Sequence, residues 1–491
     1  MTLSNTSAAE TGEDFTPRPL LDAFENFQGC FVDLEHNVSI SASELRRLKD
    51  EILQSMRRLG LRAGECVVTA PPNGTLFAAV WAASLELGAS PILAHENTPQ
   101  LELEHMARQW GARFVVAAAT GDSRGMKLTE GWRIATSHGE LGWRQVALED
   151  SQREPLRLVS VPLHPTSGTS GGPKLALRPG RCAVAEPLHY IETLGLDKSD
   201  SILCATPMSH AYAYGMCLVA ALLTSARLLF MRHFNPTLLL GALNHQRVSV
   251  FPAVPFMLDA LLAASPEQLT GRPRITLSAG APLPSETVEK FRERWDIAIR
   301  PLYGTTETGG IAIGLAEDGV QGGVGHPMRG VEVDLHAADG HSNILRVRSD
   351  SMMAGYLEGG QVSRVMLTDG WFETGDLARI DERGRIHLQG RLSEVINVFG
   401  FKVIPKEVEE VIAMLPEVAE VKVYGAHWKG EEEVEAAVVR RAPIDEGQIL
   451  KHCDQHLVSY KCPTAIHFVE SLPRTAAGKI AMERLPGRGR G

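Results

Sequence analysis

Through SASELRRLKDEILQSMRRLG (residues 41–60) the apolar residues Leu45, Leu48, Ile52, Leu53, Met56 and Leu59 recur at three- and four-residue intervals, the spacing of one buried helical face. Ser41 with Glu44 forms a capping box at the start of this helix, and Gly60 supplies its stop. The pattern then shortens to CVVTA, lengthens to LFAAVWAASLELG, and repeats the alternation through SPILA, PQLELEHMARQWG and RFVVAAA. Helices recurring between short apolar strands predict a largely parallel sheet covered on both faces. The alternation resumes in RVSVFPAVPFMLDALLAA and in RITLSAG followed by SETVEKFRERW. Between these regions Gly121–Pro155 is polar, turn-rich and weakly periodic, and reads as a peripheral connection.

Beyond about Gly330 the character changes. ILRVRS and LARIDERGRIHLQGR alternate like strands, with a hairpin turn at Asp381–Gly384. PKEVEEVIAML, EVKVYGA, EVEAAVVRR, GQILKHCDQHL and AIHFVESLP then make a small α+β unit. The fold class expected is α/β. A large N-terminal domain (1–391) of layered, largely parallel sheets and helices carries a β-rich subdomain, and a small, mobile α+β lid (392–491) follows.

Composition adds exclusions. At 491 residues the chain is too long for one compact core. A formal net charge of −10 argues against broad contact with nucleic acid or an anionic membrane, while leaving room for a local nucleotide pocket. The polar, acidic start has no apolar signal segment, and the uncharged run Ala211–Ala226 is too short to span a bilayer and reads as buried core. Seven cysteines without a CxxC pair fit a reduced, cytoplasmic chain in which most thiols are small core residues.

TSGTSGGPK, Thr166 to Lys174, carries the chemistry. Its Gly168-Thr169-Ser170-Gly171-Gly172 fits the nucleophile elbow of a serine hydrolase, with Ser170 as nucleophile. An elbow needs a sustained helix after the serine, and Pro173 followed by KLALRPG leaves no room for one. VSVPLHP and KLAL read instead as two strands joined by a glycine-rich turn. The Walker A pattern fails as well, because Pro173 and Leu175 stand where Gly and Ser or Thr are required. Taken alone, the loop is either a phosphate cradle or a flexible turn.

The motifs downstream decide between them. In order come PMSHAYAYG, SAGAPLP, YGTTETGG, GGVGHPMRG, WFETGDLARIDERGRIHLQGR, INVFGFKV and PRTAAGKI. With the glycine loop they resemble the adenylate-forming superfamily of acyl- and aryl-CoA ligases, luciferases and peptide-synthetase adenylation domains, over nearly the whole chain. The resemblance implies ATP- and Mg²⁺-dependent activation of a carboxylic acid as an acyl-adenylate, then transfer to a thiol, CoA first among them. A carrier-protein phosphopantetheine or an amine is the alternative acceptor, and a ligand-sensing relative without catalysis is expected to lack Lys479 or Glu307.

The resemblance also implies roles. Thr166, Ser167, Gly168, Thr169, Ser170, Gly171 and Lys174 hold the β- and γ-phosphates, and Ser278, Ala279 and Gly280 belong to the nucleotide site. Tyr303 faces adenine, Gly304 belongs to the same nucleotide site, Thr305 and Thr306 meet the α-phosphate, and Glu307 the metal. Asp376 accepts the ribose hydroxyls, Arg391 supports the ribose and phosphate end, and Lys479 bridges the attacking carboxylate and the nucleotide. His210 borders the acyl pocket, whose further walls are Tyr212, Tyr214, Met216, Phe251, Val254, Ala281 and Tyr303. Gly400 lets pantetheine pass close to backbone, and Ser393 is the hinge of the lid. No Asp or Glu occurs between Cys204 and Leu240, where amino-acid-activating relatives carry an Asp, so an aromatic or compact hydrophobic acid is expected. Leu175, Ser393 and Met482 depart from the residues usual at their positions.

Overall fold

The computed structural model describes residues 16–119, 131–136, 138–148, 162–166, 174–264, 269–316, 318, 323–337, 343–358, 361–364, 369–398, 401–428, 431–474 and 480–487. They fall into two compact units. The first takes the chain to 321 together with 325–332 and 348–372, and the second takes 322–324, 333–347 and 373–491.

The amphipathic helix forms as its pattern dictates. Ala42–Arg58 buries Leu45, Leu48, Ile52, Leu53 and Met56, Ser41 Oγ accepts from Glu44 N, and Glu44 Oε2 accepts from Ser41 N at 2.8 Å. Thr75–Leu87, apolar all round, is buried along nearly its whole length and ends at Gly88 in the left-handed region. These helices pack beside a nine-stranded sheet whose central strands Cys66–Ala70, Ser90–Leu93 and Phe114–Ala118 run parallel. A second nine-stranded sheet has a parallel centre of Ser201–Cys204, Val250–Ala253, Ile275–Ser278 and the start of Ile299–Thr305.

The stretch Gly121–Pro155 needs a correction. Within it Trp132–Thr136 and Gly139–Gln145 are strands, the latter antiparallel to Phe114–Ala118, so they extend the first sheet at its edge. Trp143 is fully buried there, an apolar anchor that a weak periodicity concealed. Strands Cys30–Asp33 and Val38–Ser41, outside the periodic readings, pair at one edge of the second sheet.

Ala211–Ala226 is buried core, with a twist. Residues Tyr214–Val219 form a π-helix between the short helices Ala211–Ala213 and Ala220–Thr224, a form often found at functional sites. Among the described residues no helix is long and apolar enough to cross a membrane. Cys66, Cys204, Cys217 and Cys453 are buried, as small core residues.

Strands Val331–Ala337, Asn343–Ser349, Phe372–Ile380 and Ile386–Arg391 form a four-stranded sheet in chain order. Gly384 N donates to Asp381 O at 2.9 Å, closing the expected hairpin turn. Helices Pro405–Ala413 and Glu446–His456 accompany a three-stranded sheet, with the third strand, Ala465–Val469, parallel to its neighbour.

Candidate active site

A hairpin holds the ends of the glycine-rich loop. Leu163–Thr166 and Lys174–Leu177 pair antiparallel, and Thr166 Oγ1 donates to Lys174 O at 3.4 Å. Ser167, Gly168, Thr169, Ser170 and Gly171 lie outside the described residues, as do Gly400 and Lys479. The strand Lys174–Leu177 begins four positions after Ser170, which leaves no length for the helix of a nucleophile elbow. Leu175 is fully buried, facing Pro165 and Leu357 across the sheet, so this departure is a core side chain.

Strands Ile299–Thr305 and Gly309–Ile313 make a second hairpin whose turn carries Thr306, Glu307 and Thr308. The turn depends on two glycines. A Cβ on Gly304 would lie 2.4 Å from Gly309 O, and Gly309 has φ +75. Thr305 Oγ1 accepts from Thr308 N at 3.3 Å and meets Thr308 Oγ1 at 3.1 Å. Met353 N donates to Glu307 O at 2.7 Å, tying the turn to the segment beyond Ser349.

That segment supplies a residue absent from the motifs. Tyr356, in strand Gly355–Glu358, donates its hydroxyl to Glu307 Oε1 at 2.7 Å. Lys174 Nζ stands over the same ring, 5.1 Å from its centroid. Among the described residues Glu307 Oε2 has no partner. One carboxylate oxygen held in place, beside a lysine suited to phosphate, fits Mg²⁺, which takes one or two carboxylates and completes its shell with phosphate oxygens and water. Tyr303 is buried in the strand Ile299–Thr305, two residues before its end.

Ser278 ends the parallel strand Ile275–Ser278, and its buried Oγ has no hydrogen-bond partner among the described residues. Ala279 N donates to Ala253 O at 3.2 Å, and Gly280 turns the chain with φ +84. Both put the segment at the carboxyl end of the sheet, where open α/β sheets bind ligands.

His210 is exposed and caps Ala211–Ala213, its Nδ1 accepting from Tyr212 N at 3.4 Å. Tyr212 and Tyr214 are buried, with neither hydroxyl hydrogen-bonded among the described residues. His164 meets the Tyr214 ring edge-on at 5.0 Å. Burial first, then the charges of Arg178 and His210, push the His164 imidazole down to about 3, so it is neutral. Met216 is buried in the π-helix, Phe251 sits in the core of the second sheet with Leu203 and Leu258, Val254 packs against that core, and Ala281 is half-buried.

Behind these groups lies a charged pair that the motifs did not reveal. Arg178, wholly buried, donates from Nη1 to Glu186 Oε2 at 2.5 Å and from Nη2 to Ser351 O at 3.3 Å. Burial would depress the guanidinium, but Glu186 outweighs it and holds Arg178 charged. In sequence, Arg178 and Glu186 look like two unremarked charges eight positions apart.

In the second unit Asp376 and Arg391 are cross-strand partners, with Arg391 Nε 2.6 Å from Asp376 Oδ1. Arg391 Nη1 also donates to Thr374 O at 3.4 Å. Ser393 is exposed in the single turn Leu392–Glu394. Met482 packs against the Tyr424, Ala437, Leu472 and Leu485 cluster, which accounts for an apolar residue there.

The family model for AMP-binding enzymes matches residues 28–357, and that for the AMP-binding enzyme C-terminal domain matches 407–479. The chain is 26% identical over 501 residues to 4-coumarate–CoA ligase of Pinus taeda, covering 94% of the chain and 91% of that protein. It is 30% identical over 329 residues to 2-succinylbenzoate–CoA ligase of Bacillus licheniformis, covering 65% of the chain and 68% of that protein. In fold it matches O-succinylbenzoate coenzyme A synthetase of Bacillus subtilis in complex with AMP, with TM-score 0.79, 21% identity and coverage of 96% and 98% of the two chains.

Proposed function

The chain belongs to the AMP-binding enzyme family, and from that premise we propose that it joins an aromatic or compact hydrophobic carboxylic acid to CoA through an acyl-adenylate. The relatives described above are CoA ligases of 4-coumarate and of 2-succinylbenzoate. The observation that carries the reading is Glu307, held by Tyr356 with one carboxylate oxygen unpartnered among the described residues, and with Lys174 over the same ring.

The reaction has two displacements. A carboxylate oxygen of the acid attacks the α-phosphorus of ATP, the bond to the β-phosphate oxygen breaks, and pyrophosphate leaves. The thiolate sulfur then attacks the acyl carbon, AMP departs with the bridging oxygen, and the thiol proton goes to solvent. Most of the barrier in the first step is charge, so fixed positive groups and oriented donors lower it.

Lys174 and the loop donors take the β- and γ-phosphates, and Thr305 and Thr306 offer hydroxyls to the α-phosphate. Glu307 Oε2 would hold Mg²⁺, which when bound neutralises phosphate charge. Tyr303, Gly304, Ser278, Ala279 and Gly280 serve the nucleotide base, Asp376 with Arg391 the ribose, and Lys479 the attacking carboxylate. His210 with Tyr212, Phe251, Val254 and Ala281 borders the acid. Residues 392–491 turn about Ser393 between the two steps, bringing Gly400 to the pantetheine. The uncharged run after His210 supports an apolar acid over an amino acid.

Product analysis by mass spectrometry, with CoA, a phosphopantetheinylated carrier protein and an amine offered in parallel with ATP, tests the acceptor. Acyl-CoA as the dominant product is expected. Acylated carrier protein or amide in its place contradicts CoA as the acceptor.

A further inference from the structure

We infer that Arg178 and Glu186 are positioning residues, a buried ion pair that sets the turn carrying Glu307 and locks it to the helix that follows His210. The inference rests on the reading of Glu307 given above and extends it to side chains that no motif contains.

A buried ion pair is a poor device for stability alone. Removing both charges from water costs as much as their attraction returns, and apolar residues of similar volume are commonly as good. What the pair supplies is directed geometry, because a planar guanidinium accepts few arrangements of its acceptors. Every direction here leads to an element of the candidate site. Arg178 directly follows Lys174–Leu177, the strand that leaves the glycine-rich loop. Its Nη2 donates to Ser351 O, and Ser351 Oγ donates to Thr308 O at 2.6 Å, one residue beyond Glu307. Thr308 N in turn donates to Thr305 Oγ1.

Glu186 reaches the other side. A Cβ on Gly309 would sit 2.7 Å from Glu186 Cδ and 3.0 Å from Arg178 Nη2, so the turn lies directly against the pair. A Cβ on Gly215, in the π-helix, would sit 2.7 Å from the same Glu186 Cδ. The carboxylate is therefore wedged between the Glu307 turn and the helix after His210. Tyr190 OH, donating to Glu186 Oε1 at 3.3 Å, fixes its remaining oxygen. Arg178 and Glu186 touch neither phosphate nor acid in this scheme; they act through the backbone of Ser351, Thr308 and Gly309.

The test is calorimetric titration of ATP with and without Mg²⁺ into wild type, Arg178→Lys, Glu186→Gln and the apolar double variant R178M/E186M. It needs no knowledge of the acid. Wild type is expected to bind ATP more tightly with Mg²⁺. In the folded double variant the Mg²⁺-dependent gain falls about tenfold, the lower end of what losing a direct partner of a metal ligand costs, while metal-free ATP binding is kept. R178K and E186Q, which preserve most of the volume, fall between. A merely structural pair would shift the melting temperature and leave the Mg²⁺-dependent gain intact; that result in any folded variant set, the isosteric E186Q included, overturns the inference. Wild type with no Mg²⁺-dependent gain would instead overturn the assignment of Glu307, and with it this inference.

Discussion

Tyr356→Phe removes one hydroxyl and keeps the ring on which Lys174 rests. The hydroxyl donates to Glu307 Oε1 at 2.7 Å and is the one side-chain hydrogen bond to that carboxylate among the described residues. A hydrogen bond to a charged group contributes about 1.5–3 kcal/mol. Glu307 and Tyr356 are only half-buried, so water replaces part of the loss, and the lower end applies. About 1.4 kcal/mol corresponds to a tenfold change in rate. Steady-state ATP–pyrophosphate exchange at saturating Mg²⁺ should therefore show kcat reduced about tenfold, with the melting temperature nearly unchanged because the ring still packs. Exchange by Tyr356→Phe at the wild-type rate, with Glu307→Gln inactive, would show that Glu307 needs no support from Tyr356.

Two further outcomes follow from buried groups. His164 is held neutral down to about 3, whereas an unfolded histidine titrates near its ordinary value of about 6.5, so the unfolded chain binds the extra proton as the pH falls. Its contribution is intact above about 6.5 and erodes toward 3, amounting to about 2 kcal/mol lost by pH 5; urea midpoints at pH 7 and 5 should draw closer in His164→Leu, and an unchanged gap would contradict its burial as a neutral group. Leu175→Gly restores the residue usual in the family but empties a fully buried site, which should cost about 3 kcal/mol or more; a urea midpoint at the wild-type value would show that Leu175 is not packed in the core.

The helix Ala42–Arg58 was legible from its unbroken period and paired cap, and the parallel strands from their short continuous apolar runs between helices. The edge strands Trp132–Thr136 and Gly139–Gln145 were not, because a solvent-facing edge needs few apolar positions, and Leu141 and Trp143 are too few to make a pattern. The family was legible because the motifs, those around the glycine-rich loop, Glu307 and Asp376 among them, repeat its order. Tyr356 escaped notice because a single tyrosine in MAGYLEGG shows its role only when strand pairing with Lys174–Leu177 brings it beside Lys174 and Glu307. Arg178 and Glu186 are harder still: their meaning lies in burial and in what two glycines leave room for, and neither is written in local spacing.

Adenylation of an apolar acid is the step from which the rest of the chemistry follows. ATP–pyrophosphate exchange with Mg²⁺ over benzoates, other aryl acids, medium-chain fatty acids and amino acids, in wild type and Lys479→Ala, tests it directly. Exchange with an aryl or compact hydrophobic acid is expected, with a loss of roughly 3–4 kcal/mol, about a thousandfold in rate, in the variant. Exchange driven by amino acids would contradict the assignment of the pocket, and exchange undiminished in Lys479→Ala would contradict the mechanism.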